Sequence, residues 1–110
     1  MEELDKAAIY RLHAQFCKTL SDANRLLMIA ELAKGEVSVN ELAQRLQLRQ
    51  ANVSKHLGLM RERGLVVARR DGATVYYALS DPRIIGAIKL LKEVQADQIE
   101  KQYSLAQGSP

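Results

Sequence analysis

The stretch "RQANVSKHLGLMRERGLV", Arg49 to Val66, decides how this chain is read. Val53, Leu57 and Met60 recur at i, i+4 and i+7, which places them on one buried face of a helix. Gln50, Asn52, Ser54, Lys55, Arg61 and Arg63 must then lie wholly or partly outside that face, and His56 straddles its edge beside Leu57. The pattern predicts a helix from about Gln50 to Arg63. Gly64 stops it, because glycine adopts the left-handed conformation at least cost.

Immediately upstream lies "SVNELAQRLQL". Ser38 and Glu41 have the S-x-x-E spacing of a capping box, so a short helix is expected from Val39 to Leu46, with a tight turn at Leu48. Immediately downstream the period changes from helical to two. In "LVVARRDGATVYYALS", β-branched and aromatic residues flank Asp71-Gly72, a dipeptide that favours a hairpin turn. A short capped helix, a turn and a second helix make a helix-turn-helix, and a hairpin directly after them makes a winged helix.

The flanks are helical. Ile9, Leu12, Phe16 and Leu20 give a first helix from Glu2 to Thr19. In "LSDANRLLMIAELAKG", Ser21 or Asp22 can cap a second helix, Leu26, Ile29, Ala30 and Ala33 form its core face, and Gly35 can end it. Asp81-Pro82 opens a last helix that Ile84, Ile85, Ile88, Leu91, Val94 and Ile99 carry to about Tyr103. The expected class is therefore mainly α with a small β-hairpin, in the order helix-helix-helix-helix-hairpin-helix. Residues 1–104 form one domain and 105–110 a flexible tail.

Composition limits the possible functions. The chain has 110 residues, 47% of them hydrophobic but only 5% aromatic, with no tryptophan, so one modest aliphatic core is expected with little room for a deep substrate cleft. Between Arg45 and Asp71, seven basic residues face two acidic ones, although the whole chain carries only +3. Such a block suits a polyanion partner; an ordinary solvated basic face is the alternative. No apolar run approaches the roughly 20 residues that span a bilayer, and no signal-peptide pattern opens the chain, so the cytoplasm is the expected location.

Several chemistries find no support. Cys17 is the only cysteine, so no intramolecular disulfide can form. Cys17 and His56 sit on different helices and no carboxylate pair is apparent, which excludes an evident catalytic constellation and points to a protein that is not an enzyme and needs no cofactor. His13 and Cys17 lie at i, i+4 and are the sole candidate metal ligands; the plainer reading is a surface histidine beside a packed thiol.

Within a helix-turn-helix, the second helix enters the major groove with its N-terminal residues near base edges. Gln50 and Asn52 can bond adenine, Ser54 several bases, and Arg49, Lys55 and Arg45 can neutralise phosphates. Arg69, Arg70 and Thr74 flank the hairpin tip and can reach the neighbouring backbone or minor groove. The candidate DNA-binding set is thus Arg49, Gln50, Asn52, Ser54, Lys55, His56, Arg69, Arg70 and Thr74. A winged helix used only for protein–protein contact is the alternative.

Three blocks, "LSDANRLLMI", "LRQANVSKHLGLMRERGLV" and "RRDGATVYYAL", stand in order between Phe16 and Asp81, over half the chain. Together they resemble the ArsR/SmtB family of bacterial winged-helix regulators. The resemblance implies a homodimer joined through its first and last helices, a pseudo-palindromic operator in double-stranded DNA, and repression relieved by a signal. It places Gln50, Ser54 and His56 at recognition-helix positions, whereas Ala73 departs from a wing position that often carries a basic residue. Where the family's metal site reads "ELCVCDL", this chain reads "EVSVNEL", with Ser38 and Asn40 in place of the thiolates; neither can replace a soft ligand. The last helix has no histidine for the family's second metal site, and one cysteine cannot form the intrasubunit link of its sulfur-sensing members.

Overall fold

A computed structural model describes residues 5–108. Its elements are α1 (Lys6–Thr19), α2 (Ala23–Leu32), β1 (Val37–Ser38), α3 (Val39–Leu46), α4 (Gln50–Glu62), β2 (Val66–Asp71), β3 (Thr74–Leu79) and α5 (Arg83–Ala106). The winged helix-turn-helix expected from the sequence is present. Residues 2–4, expected to open the first helix, lie outside the described residues.

The core forms where α2, α3 and α4 meet the base of the hairpin. Val53, Leu57 and Met60 are fully buried, together with Met28, Ile29, Leu42 and Leu65. In α2 the buried face is Met28, Ile29 and Leu32, rather than the expected Leu26, Ile29, Ala30 and Ala33. Leu26 is 36% exposed and Ala33 is the C-cap. The larger Met28 and Leu32 side chains are the ones buried where α2 packs on α3 and β3.

Helix ends follow local chemistry. Asp5 caps α1 by accepting the Ala8 N–H at 2.6 Å, and Asp22 caps α2 by accepting the Arg25 N–H at 3.1 Å. Ser38 accepts the Glu41 N–H at 3.2 Å, but Glu41 does not complete the capping box; its carboxylate takes Arg45 at 2.8 Å. At the end of α4, Gly64 has φ +80° and the Leu65 N–H reaches the Met60 carbonyl at 2.8 Å, closing a Schellman-type end in which Met60 and Leu65 are both buried.

Three differences concern the sheet and the last helix. Val37 and Ser38 form a third strand, paired antiparallel with Tyr77 and Tyr76, so the order is β1-β3-β2. Two residues are too few to carry a period-two signal. The hairpin turn is Gly72-Ala73, with Asp71 already paired to Thr74. Positive φ falls on Gly72 alone of the two turn residues, as in a type II′ turn, one position later than Asp71-Gly72 would place it. The last helix continues beyond Tyr103 to Ala106, so the expected flexible tail is helical for its first two residues; residues 109 and 110 lie outside the described part.

α5 leaves the core early. Ile88 is its only buried residue, and Ile84 and Ile85 are half-buried beside it. Leu90, Leu91, Val94, Ile99 and Tyr103 are each more than half exposed. The radius of gyration is 17.5 Å, against about 13 Å for a compact chain of this length. Asp81 fixes the start of α5: its carboxylate accepts the Arg83 backbone N–H at 2.9 Å and the guanidinium at 2.7 Å. The Arg83 side chain holds that carboxyl down at about 2. No helix among the described residues is long and apolar enough to cross a membrane.

Because Leu57 joins α4 to the centre of the core, Leu57→Ala should lower unfolding free energy by about 2–5 kcal/mol in denaturant titration. Lys55→Ala, two residues away on the exposed side, should stay within about 0.5 kcal/mol of wild type.

Candidate nucleic-acid interface

The surface opposite the core is built by α3, the turn after it, α4 and the hairpin. Gln47 holds a left-handed conformation, φ 55° and ψ 43°, and the Leu48 N–H bonds back to the Ala43 carbonyl at 3.0 Å. This turn delivers Arg49, the α4 N-cap, which provides no side-chain cap of its own. The backbone N–H groups of the first turn therefore add positive potential beside the Arg49 side chain. Gln50, Asn52, Ser54 and Lys55 are all exposed, as the periodicity required. Directly away from the core, Lys55 is flanked by Ala51 and Gly58, and a Cβ at Gly58 would meet nothing within 4 Å. This strip offers little side-chain bulk to an approaching surface.

His56 is not free to face outward. It is partly buried, and its Nδ1 lies 3.3 Å from an Arg25 guanidinium nitrogen. Arg25 donates, so Nδ1 accepts and the ring proton of the neutral form sits on Nε2. The same guanidinium also donates to the Thr19 carbonyl at the end of α1. His56 thus ties α4 to α2 and, through Arg25, to α1. Asp22 stands nearby; its carboxyl is held below the usual value by the Arg25 backbone N–H and by the charges of Arg25 and His56.

The two hairpin arginines differ in the same way. Arg69 forms a two-point pair with Glu36, at 2.6 and 3.0 Å, and its guanidinium lies 5.0 Å from the Tyr76 ring centroid. That hydrogen-bonded pair lowers the Glu36 carboxyl and raises the Arg69 guanidinium from their ordinary values. Arg70 points to the other face of β2 and makes no ion pair among the described residues. Thr74 pairs with Asp71 at the tip and is exposed. Arg45 is also engaged, with Glu41 at 2.8 Å and Glu31 at 3.7 Å. Of the seven cations in the basic block, Arg49, Lys55, Arg61, Arg63 and Arg70 therefore remain outside ion pairs among the described residues. Ser80 fixes the hairpin against α4, donating to the Gly64 carbonyl at 2.7 Å.

Sequence reasoning did not find Arg25 or Glu36. Each contacts its partner across more than 30 residues of chain, and no local pattern announces such a pair. It also passed over Asn40 and Gln44, at i, i+4 on α3, and Gln47, the residue that caps the end of that helix. On α1, the Cys17 sulfur lies 3.7 Å from His13 Nε2, and both residues are exposed. Among the described residues no group of three or more His, Cys, Asp or Glu could hold a metal ion.

A helix-turn-helix with an exposed polar second helix, an unpaired basic set around it and a wing at its flank defines a winged-helix DNA-binding transcriptional regulator. A family model for the MarR family matches residues 19–74, and the chain belongs to that family; its curated relatives include proteins named transcriptional repressors and activators. The expected resemblance thus holds at the level of winged-helix regulators, while the matching model is that of MarR rather than ArsR/SmtB. The chain is 39% identical over 74 residues to the biofilm growth-associated repressor of Agrobacterium fabrum, covering 67% of this chain and 63% of that protein. It is 39% identical over 83 residues to the transcriptional activator HlyU of Vibrio cholerae, covering 74% and 77% respectively. The solution structure of the homodimeric winged helix-turn-helix DNA-binding domain Mb0332 of Mycobacterium bovis, described as a possible ArsR-family regulator, superposes with a TM-score of 0.76 at 28% identity, covering 86% of this chain and 89% of that one.

The Glu36–Arg69 pair makes a pH prediction. Glu36 titrates below its ordinary 4.5 in the folded state, so its stabilising contribution is present above that value and is lost as pH falls through the folded-state value. Denaturant unfolding of wild type and Glu36→Gln should differ at neutral pH and converge as pH falls below about 4.5.

Proposed function

We propose that this chain acts as a homodimeric repressor of the ArsR/SmtB type, working in the cytoplasm. In this reading α4 enters the major groove of a pseudo-palindromic operator and the hairpin tip lies over the adjacent backbone or minor groove. One observation carries it: α4 buries Val53, Leu57 and Met60 completely, while Arg49, Gln50, Asn52, Ser54 and Lys55 are all left exposed. Gln50, Asn52 and Ser54 read base edges; Arg49, Lys55 and Arg70 hold phosphates, and Thr74 adds a neutral contact at the wing. Arg69 braces the hairpin through Glu36, and His56 braces α4 through Arg25, so both shape the interface more than they touch DNA. The similarity to a protein named a repressor and to one described as possibly ArsR-family supports this assignment. A releasing signal of the two-thiolate metal type finds no support, because Ser38 and Asn40 stand where the thiolates would be and neither replaces a soft ligand.

Salt separates the roles. Binding of wild type to random duplex DNA should weaken steeply with salt, because Lys and Arg contacts release counterions. After selection of bound genomic fragments, Ser54→Ala should reduce the preference for the selected operator by about 0.5–1.5 kcal/mol, the worth of one hydrogen bond. Arg70→Ala should weaken all sequences evenly and lower the salt slope by about 1. Equal operator preference in the two variants would contradict this division.

Dimerisation rests on the exposed apolar residues of α1 and α5. Ile88, with Ile84 and Ile85 beside it, serves the protomer core, so the surplus lies further along, at Leu90, Leu91, Val94, Ile99 and Tyr103, with Ile9 and Leu12 on α1. Wild type should sediment as a dimer at micromolar concentration. Leu91→Glu, which changes a residue 65% exposed in the protomer, should shift it toward monomer while leaving the helical circular dichroism of the core intact. A monomeric wild type would remove the dimer from this reading.

A further inference from the structure

The outward surface of α3 divides into two strips. On one, Glu41, Arg45 and Glu31 of α2 satisfy each other as ion pairs. On the other, Asn40, Gln44 and Gln47 line a hollow of about 430 Å³ with Ala43, Leu48 and Gln50. Asn40 and Gln50 also line a second hollow of about 210 Å³, which the hairpin tip closes with Ala73, Thr74 and Val75. No charged side chain lines either hollow. A continuous uncharged surface, rich in carboxamides, therefore runs from the wing tip to the turn that starts α4.

Gln47 makes this surface informative. It is the sole non-glycine residue with positive φ among the described residues. That conformation is unfavourable for an L-residue and free of strain for glycine. The Gln47 side chain is exposed and takes part in no hydrogen bond among the described residues, so the fold gains nothing evident from glutamine here. Retained local strain without a folding benefit points to a role outside the protomer.

We propose that Asn40, Gln44 and Gln47 form a row of neutral donors that bonds phosphate oxygens of one DNA strand at the edge of the groove entered by α4, and so sets the position of that helix. The proposal deepens the DNA-binding reading and rests on it. The first helix of a helix-turn-helix crosses the backbone, which puts these amides beside phosphates rather than base edges. A carboxamide N–H donates to a phosphate oxygen without replacing a condensed counterion. Its loss therefore lowers affinity without changing the salt dependence, unlike the loss of an arginine.

The test uses the full chain and a random-sequence DNA duplex across a salt series, with thermal unfolding in parallel. Asn40→Ala, Gln44→Ala and Gln47→Gly should each weaken binding roughly three- to tenfold at every salt concentration, with the slope unchanged. Gln47→Gly should at the same time raise the melting temperature, on the order of a few degrees. Higher stability with lower affinity is a combination that a purely structural residue does not give. Wild-type affinity in all three variants overturns the proposal. So does a reduced salt slope, or a loss confined to the selected operator, since these mean a charged contact or base reading. Failure of wild type to bind duplex DNA overturns the DNA-binding reading itself, and the proposal with it.

Discussion

The burial of Val53, Leu57 and Met60 is the constraint on which the rest of this molecule depends. Those three side chains fix the rotation of α4 against α2, α3 and the hairpin base. Once that face is committed, every polar residue of the helix from Gln50 to Lys55 is forced outward together. The same burial sets where the helix ends. Met60 and Leu65 meet across the Gly64 turn, and the chain leaves directly into the first strand of the wing. Recognition surface and core are thus two sides of one helix, and neither can be rotated without the other.

Polar contacts then refine what the apolar face sets. Arg25 reaches from α2 to His56 and to the end of α1, which stiffens α4 against the helix that precedes the core. Glu36 takes Arg69 at two points, and the Tyr76 ring lies close by. Both arrangements engage groups that looked available for DNA, His56 partly buried and Arg69 still exposed, and both place them where they hold α4 or the hairpin in position. Within the basic block, Arg49, Lys55, Arg61, Arg63 and Arg70 stay outside ion pairs among the described residues. Surface pairs of this kind contribute little stability individually; their effect here is to decide which cations stay available.

The helix-turn-helix and wing were legible because their signals are local. Ser38 in the S-x-x-E spacing gave the start of α3, the i, i+4, i+7 pattern gave the buried face of α4, and Gly64 gave its stop. Less was legible where two answers satisfy the same pattern. The α2 sequence is apolar over so much of its circumference that Leu26 and Met28 were both acceptable core residues, and only packing against α3 and β3 chose Met28. Strand β1 is too short to show a period. The turn moved by one residue because cross-strand pairing, set by the hairpin base, placed Asp71 opposite Thr74. At the interface the exposed members were readable, but the engagement of His56 and Arg69 was not.

The sequence by itself determined the periodicities, caps and turn residues, and hence the winged helix-turn-helix and the exposed polar row on α4, because each of those depends on residues within one or two helical turns. Tertiary structure alone decided which arginines are engaged, that His56 faces Arg25, and that Asn40, Gln44 and Gln47 join the wing tip in one uncharged surface. Those outcomes depend on side chains brought together from distant segments, and their distances are fixed only when the core has closed.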